Sequence, residues 1–152
     1  MRTDRTFSTL YDMGQTLSYT KITEARAAIA DIYDTVGRNL VVDISRENDA
    51  PVTVIRKDAL VSLLHSKCAF EPKVHFSKDG KVSMWLEGVP ISSQGLTVEE
   101  AEDELILALR DFTQTWLEDL REYPNHRNGW ALPTLVRLSD DTELRKLVFG
   151  DE

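Results

Sequence analysis

The sequence predicts an α+β fold, on three observations. Residues 22–36 carry apolar side chains at helical spacing, two pairs of short β-rich runs are each joined by a turn-prone segment, and a second helical stripe begins at Ala101. The expected layout is a unit of helix, β-hairpin and short helix, followed by a second β-hairpin and a long helix. With 152 residues, 41% of them hydrophobic and 29% charged, the chain is one ordinary globular domain or two very small ones.

Residues 1–19 show no sustained periodicity, although Phe7, Leu10 and Tyr11 can dock and Thr16 to Tyr19 can form a short edge strand. In the first helix Ile22, Ala25, Ala28, Ile29, Ile32, Tyr33 and Val36 share one face. Thr20 or Thr23 is placed to cap its start, and Gly37 to end it in a left-handed conformation. The runs Leu40 to Ser45 and Val52 to Arg56 flank the polar Arg46-Glu47-Asn48-Asp49-Ala50, which predicts a hairpin. Leu40, Val42 and Ile44 point to one side of it and can cover the helix. Asp58 then opens a short helix carrying Leu60, Val61, Leu63 and Leu64.

A boundary is expected near Lys67, because the charge balance changes there and Pro72 stops any helix that enters it. Beyond it, residues 73–77 and 81–87 read as a hairpin turning at Asp79-Gly80. Leu96-Thr97-Val98-Glu99-Glu100 carries a capping-box signature, with Thr97 as cap and Glu100 reaching back. The long helix should run to about Glu122, burying Ala101, Leu105, Ala108, Leu109, Phe112, Trp116 and Leu120, with Tyr123-Pro124 ending it. The tail is expected to hold an extended stretch around Trp130 to Leu138 and a short helix from about Asp140 to Val148.

Charge separates the halves. Residues 1–67 hold 9 Lys+Arg against 9 Asp+Glu and residues 68–152 hold 9 against 17, so the whole excess behind the net charge of −8 lies in the second half. The longest apolar run, Leu105 to Leu109, is far too short to span a membrane, and the N-terminus has no apolar leader. With the lone Cys68, which cannot close an intrachain disulfide, this predicts a cytoplasmic protein with no membrane partner.

Enzyme signatures are weak. The histidines His65, His75 and His126 fall in three separate elements, and there is no HExxH pair, phosphate-binding glycine loop or nucleophile elbow. Catalysis would need a Cys68/His65 or His75/Glu87 pair. The run Glu99-Glu100-Ala-Glu102-Asp103-Glu104 fits a solvated first turn favoured by the helix dipole better than a metal cluster. No cofactor or metal is expected. The first half offers a different chemistry: Lys21 and Arg26 near the helix start and Arg46 at the hairpin tip suit phosphate or guanine, and a symmetric dimer would double that surface.

Residues 18–64 resemble the prevent-host-death (Phd/YefM) antitoxin domain. The resemblance rests on the helix start Thr23-Glu24-Ala25-Arg26, the strand end Ile44-Ser45-Arg46, the strand Pro51-Val-Thr-Val-Ile-Arg56 and the closing short helix. The turn Glu47-Asn48-Asp49-Ala50 departs from the basic or glycine-containing turn usual there. The run Ser93 to Ala101 after the second hairpin is similar to HicB-like antitoxin domains. The Phd/YefM resemblance implies a homodimer that binds operator DNA and represses its own operon through residues 1–67. Arg26 and Arg46 would contact DNA, supported by Lys21 and Thr23. Residues 68–152 would neutralise a cognate toxin, a RelE-like mRNA endonuclease on family grounds, by covering its active site. An acidic module suits a basic, RNA-binding toxin. Trp116, Leu120, Trp130, Leu135 and Leu138 are the candidate toxin contacts, with the core face of the long helix as the alternative for Trp116 and Leu120 and packing back onto that helix as the alternative for Trp130, Leu135 and Leu138. Two other classes stay open: a small regulator or ligand-binding protein unrelated to a toxin, and a small enzyme with its site in the second domain.

Overall fold

The computed structural model describes residues 18–38 and 41–151, so Phe7, Leu10, Tyr11, Thr16 and Leu40 lie outside the described residues. The secondary structure is a mixture of helices and two three-stranded sheets, an α+β fold as the sequence predicts. The chain divides after Leu60 into two compact units.

In the first unit, strand β1 (Ser18–Tyr19) leads into helices α1 (Ile22–Ala27) and α2 (Ile29–Gly37), then strands β2 (Val42–Ile44) and β3 (Val52–Val54). Helix α3 (Lys57–Cys68) starts at its end and crosses the division. β1 runs parallel to β2 with Tyr19 opposite Ile44, and β2 runs antiparallel to β3 with Val42 opposite Val54. The hairpin turn closes through Asp49 N–H to the Arg46 carbonyl (3.1 Å), with Asn48 at φ 66°, a left-handed position that Asn tolerates. Ala25, Ile32, Val36 and Val42 form the core, flanked by Tyr19, Ile44 and Val54.

Three local expectations are corrected here. The single helix over 22–36 is two, broken at Ala28 (φ −105°, ψ 20°), whose N–H is shared between the carbonyls of Glu24 and Ala25. Ala25, Ile32 and Val36 share the core with Val42, while Ile29 and Tyr33 are exposed. Neither threonine caps α1; Lys21 holds the cap position without a side-chain bond. Gly37 closes α2 in its last turn rather than as a left-handed residue, and Arg38 follows as the cap.

The second unit contains strands β4 (Pro72–Phe76), β5 (Val82–Leu86) and β6 (Ser92–Gly95), helix α4 (Val98–Glu118), a single 3-10 turn at Leu120–Glu122, and helices α5 (Ala131–Leu138) and α6 (Asp141–Phe149). The antiparallel sheet has the order β4-β5-β6. Its β4–β5 turn bonds Gly80 N–H to the Ser77 carbonyl (3.1 Å) and needs φ 84° at Gly80, as Asp79-Gly80 predicts. β6, Ser-Ser-Gln-Gly, carries no apolar alternation and is a strand the sequence does not announce. α4 packs on β5, β6, α5 and α6, burying Ala101, Leu105, Ile106 and Leu109 against Val82, Met84, Leu86, Ile91, Val136, Leu144 and Val148.

Caps set both α4, as expected, and α6. Thr97 Oγ1 accepts the Glu100 N–H (3.1 Å), while the Glu100 carboxylate accepts the Leu96 N–H (2.7 Å). Asp140 and Glu143 form a full reciprocal box at α6. The expected extended stretch at 130–138 is instead α5. Leu132, Leu135, Val136 and Ser139 repeat at helical spacing, and Pro133 falls in the first turn, where its missing N–H costs no intrahelical bond.

Candidate functional site

The parallel pairing of β1 with β2 decides what the first unit can present. Ser45 N–H donates to the Tyr19 carbonyl (2.8 Å), so the chain leaving β1 and the chain leaving β2 emerge side by side. Residues 20–23 and 45–47 therefore line one shallow depression, which brings together Lys21, Thr23 and Arg46. All three are exposed. Arg26, in the last turn of α1, is also exposed and does not line this depression. Each of the two cations in it has an internal carboxylate partner: Lys21 Nζ lies 3.7 Å from Glu24, and Arg46 Nε pairs with Asp49. Both pairs are exposed, so each is worth about 1 kcal/mol or less and can be exchanged for an external anion.

The five residues expected to face a partner in the second half separate sharply. Leu135 is fully buried, and Trp116 nearly so, with its Nε1–H donating to the His126 carbonyl (3.2 Å) and pinning the loop after α4. Leu120 and Leu138 are half-buried. Trp130, 50% exposed just before α5, presents a large open side chain. The helical form of 131–138 explains the division, because it turns Leu135 inward with Val136 rather than leaving an extended arm.

The residues weighed for catalysis are differently engaged. His65 Nε2–H donates to the Leu147 carbonyl near the end of α6 (2.9 Å), and its ring lies 6.0 Å from that of Phe70. Cys68 is half-buried, and burial pushes its thiol above the ordinary range. His75 sits opposite Ser83 across β4 and β5. Among the described residues no group of three or more His, Cys, Asp or Glu is placed to hold a metal ion, and no helix is long and apolar enough to cross a membrane.

Sequence reasoning missed one surface of the first unit. Ile29 and Tyr33, one turn apart on α2, are 64% and 81% exposed. Their spacing is that of core residues, so periodicity alone does not set them apart.

Residues 13–149 match the model of the PHD-like family, described as antitoxin of toxin-antitoxin, RelE / RelB, TA system. The chain belongs to this antitoxin family. In structure the antitoxin is similar to a chain from Syntrophomonas wolfei subsp. wolfei, described as the antitoxin part of a proposed toxin/antitoxin system, with a TM-score of 0.68 and 19% identity. That likeness covers 86% of this chain and 94% of the other, and it establishes the fold. No curated protein matches the antitoxin.

Proposed function

We propose that the antitoxin is a cytoplasmic homodimer with two non-covalent activities, and no enzymatic one. Through its first unit it binds operator DNA and represses its own operon; through its second it occludes a RelE-like mRNA endonuclease. The observation that carries the DNA reading is the convergence of Lys21, Thr23 and Arg46 on one depression. Arg46 supplies a planar fork for phosphate or guanine, Lys21 a point charge, Thr23 a hydroxyl donor, and Arg26 a further phosphate contact beyond the depression.

Dimerisation has its own support. Among its described residues the first unit has four buried apolar core residues, while Ile22, Ile29, Tyr33, Val41 and Val52 are half to mostly exposed. A second copy covering Ile29 and Tyr33 would supply the missing burial at about 25 cal/mol per Å². For the toxin, the acidic excess of residues 68–152 favours a basic partner, and Trp130 is the side chain best placed to anchor it. Leu120 and Leu138 add partial area, and Trp116 and Leu135 act by holding that surface in shape. The reading is tested by measuring operator affinity for the wild type and for Arg26→Ala/Arg46→Ala. At least a tenfold loss is expected, and equal affinity would end the DNA reading.

A further inference from the structure

Among the described residues β4 is the outer strand of the second sheet: it pairs there with β5 alone, α4 packs over β5 and β6, and every residue from Lys73 to Phe76 is exposed. The phase of its ladder is fixed at both ends. Ser77 N–H donates to the Lys81 carbonyl (2.9 Å) and Glu87 N–H to the Glu71 carbonyl (3.2 Å), so the alternating residues Lys73 and His75 also turn toward β5. Pro72, Val74 and Phe76 therefore turn their backbone groups outward along the free edge. Val74 and Phe76 pair with Met84 and Val82, which places their side chains on the core face of the sheet, yet they are 42% and 66% exposed.

We infer that β4 pairs antiparallel with β4 of a second copy of this chain, on a two-fold axis at Val74. In that register Val74 faces Val74, and Phe76 faces Pro72. The two Val74 N–H groups bond each other's carbonyls, and each Phe76 N–H meets a Pro72 carbonyl. The N–H that Pro72 lacks is called for only at the outer ends, so proline does not interrupt the pairing. The apolar side chains of the two strands then form one continuous strip across the join.

Charge favours the same register. Lysine on a sheet edge ordinarily guards it, but Lys73 lies 3.6 Å from Glu71 and 3.7 Å from Glu87, which neutralise it. At each end Glu71 of one copy falls opposite Ser77 of the other, beside Lys78, a cation with no carboxylate partner among the described residues. This edge belongs to the second unit, whereas Ile29 and Tyr33 belong to the first, so the pairing goes beyond the dimer proposed above.

The register makes the test specific. In a full-length Cys68→Ser background, Val74→Cys places two thiols on strands whose Cα atoms are about 5.5 Å apart, within disulfide range. Phe76→Cys places them about 14 Å apart, four residues out of register. Under mild oxidation Val74→Cys is expected to cross-link in the majority and Phe76→Cys at the background of random collision. Both sites are exposed, so both variants retain the fold, which circular dichroism verifies. Cross-linking of neither variant, of both equally, or of Phe76→Cys alone overturns the pairing; the first result is also what a strand of the toxin on this edge would give. A mass for Tyr33→Lys reports separately on the first unit's dimer.

Discussion

Arg110, in the middle of α4, bonds Asp141 at the start of α6 through two nitrogens (2.7 and 3.0 Å) while donating to the Ser139 carbonyl (2.8 Å) and the Val136 carbonyl. One guanidinium thus closes the end of α5, opens α6 and fixes both to the long helix. Its planar fork is what makes three acceptors reachable at once through four hydrogen bonds. Arg110→Met should destabilise the second unit by about 2 kcal/mol, since two carbonyls lose a charged donor, and Arg110→Lys should restore less than half. Urea unfolding followed at the tryptophans measures both.

Gly95 and Gly37 make opposite predictions for the same substitution. A Cβ on Gly95 would lie 2.6 Å from the Ala101 backbone nitrogen and 2.9 Å from the Glu100 carbonyl carbon, where β6 turns into α4. Gly95→Ala should cost about 1–3 kcal/mol, because backbone must move. Gly37 has open space around it and a helical backbone, so Gly37→Ala should be neutral or stabilise by up to about 1 kcal/mol. Melting temperatures of the two variants separate these outcomes, and a loss at Gly37 would restore the left-handed cap.

How far the fold is legible follows from the range of the signal. Thr97/Glu100 and Asp79-Gly80 are written in residues three apart or fewer, and both hold. β6 has no apolar residue to mark it; it exists because Met84 and Trp85 offer it a ladder and Ser93 Oγ donates to the Ala101 carbonyl (2.6 Å). The break at Ala28 lies in a run of good helix formers, and the local sequence does not mark it. The site divides the same way. Lys21, Thr23 and Arg46 were identifiable as polar residues near turns, but their meeting depends on a parallel pairing that periodicity does not announce.

Arg46 is held by Asp49 in the free chain. Asp49→Asn should release it, raising operator affinity by about two- to fivefold, the equivalent of one exposed ion pair. Arg46→Ala should lower affinity and flatten its salt dependence by roughly one unit of slope. Titrations at several salt concentrations distinguish a phosphate contact from a structural pair.

The raised thiol pKa of Cys68 sets a direction with pH. The unfolded chain loses this proton first as pH rises, so the group's contribution to stability is complete below the ordinary thiol range and declines as pH climbs through it. At pH 7 alkylation of Cys68 should be slower than that of free cysteine, and unfolding in urea should restore the ordinary rate. A faster native rate would point back to an activated thiolate.

The most direct measurement of the central claim is growth of cells expressing the small protein encoded beside this antitoxin's gene, with and without the antitoxin supplied in trans. The account predicts arrest by the neighbour alone, relief by the antitoxin, and equal relief by Arg26→Ala/Arg46→Ala. A harmless neighbour, or arrest that the antitoxin does not relieve, would contradict it.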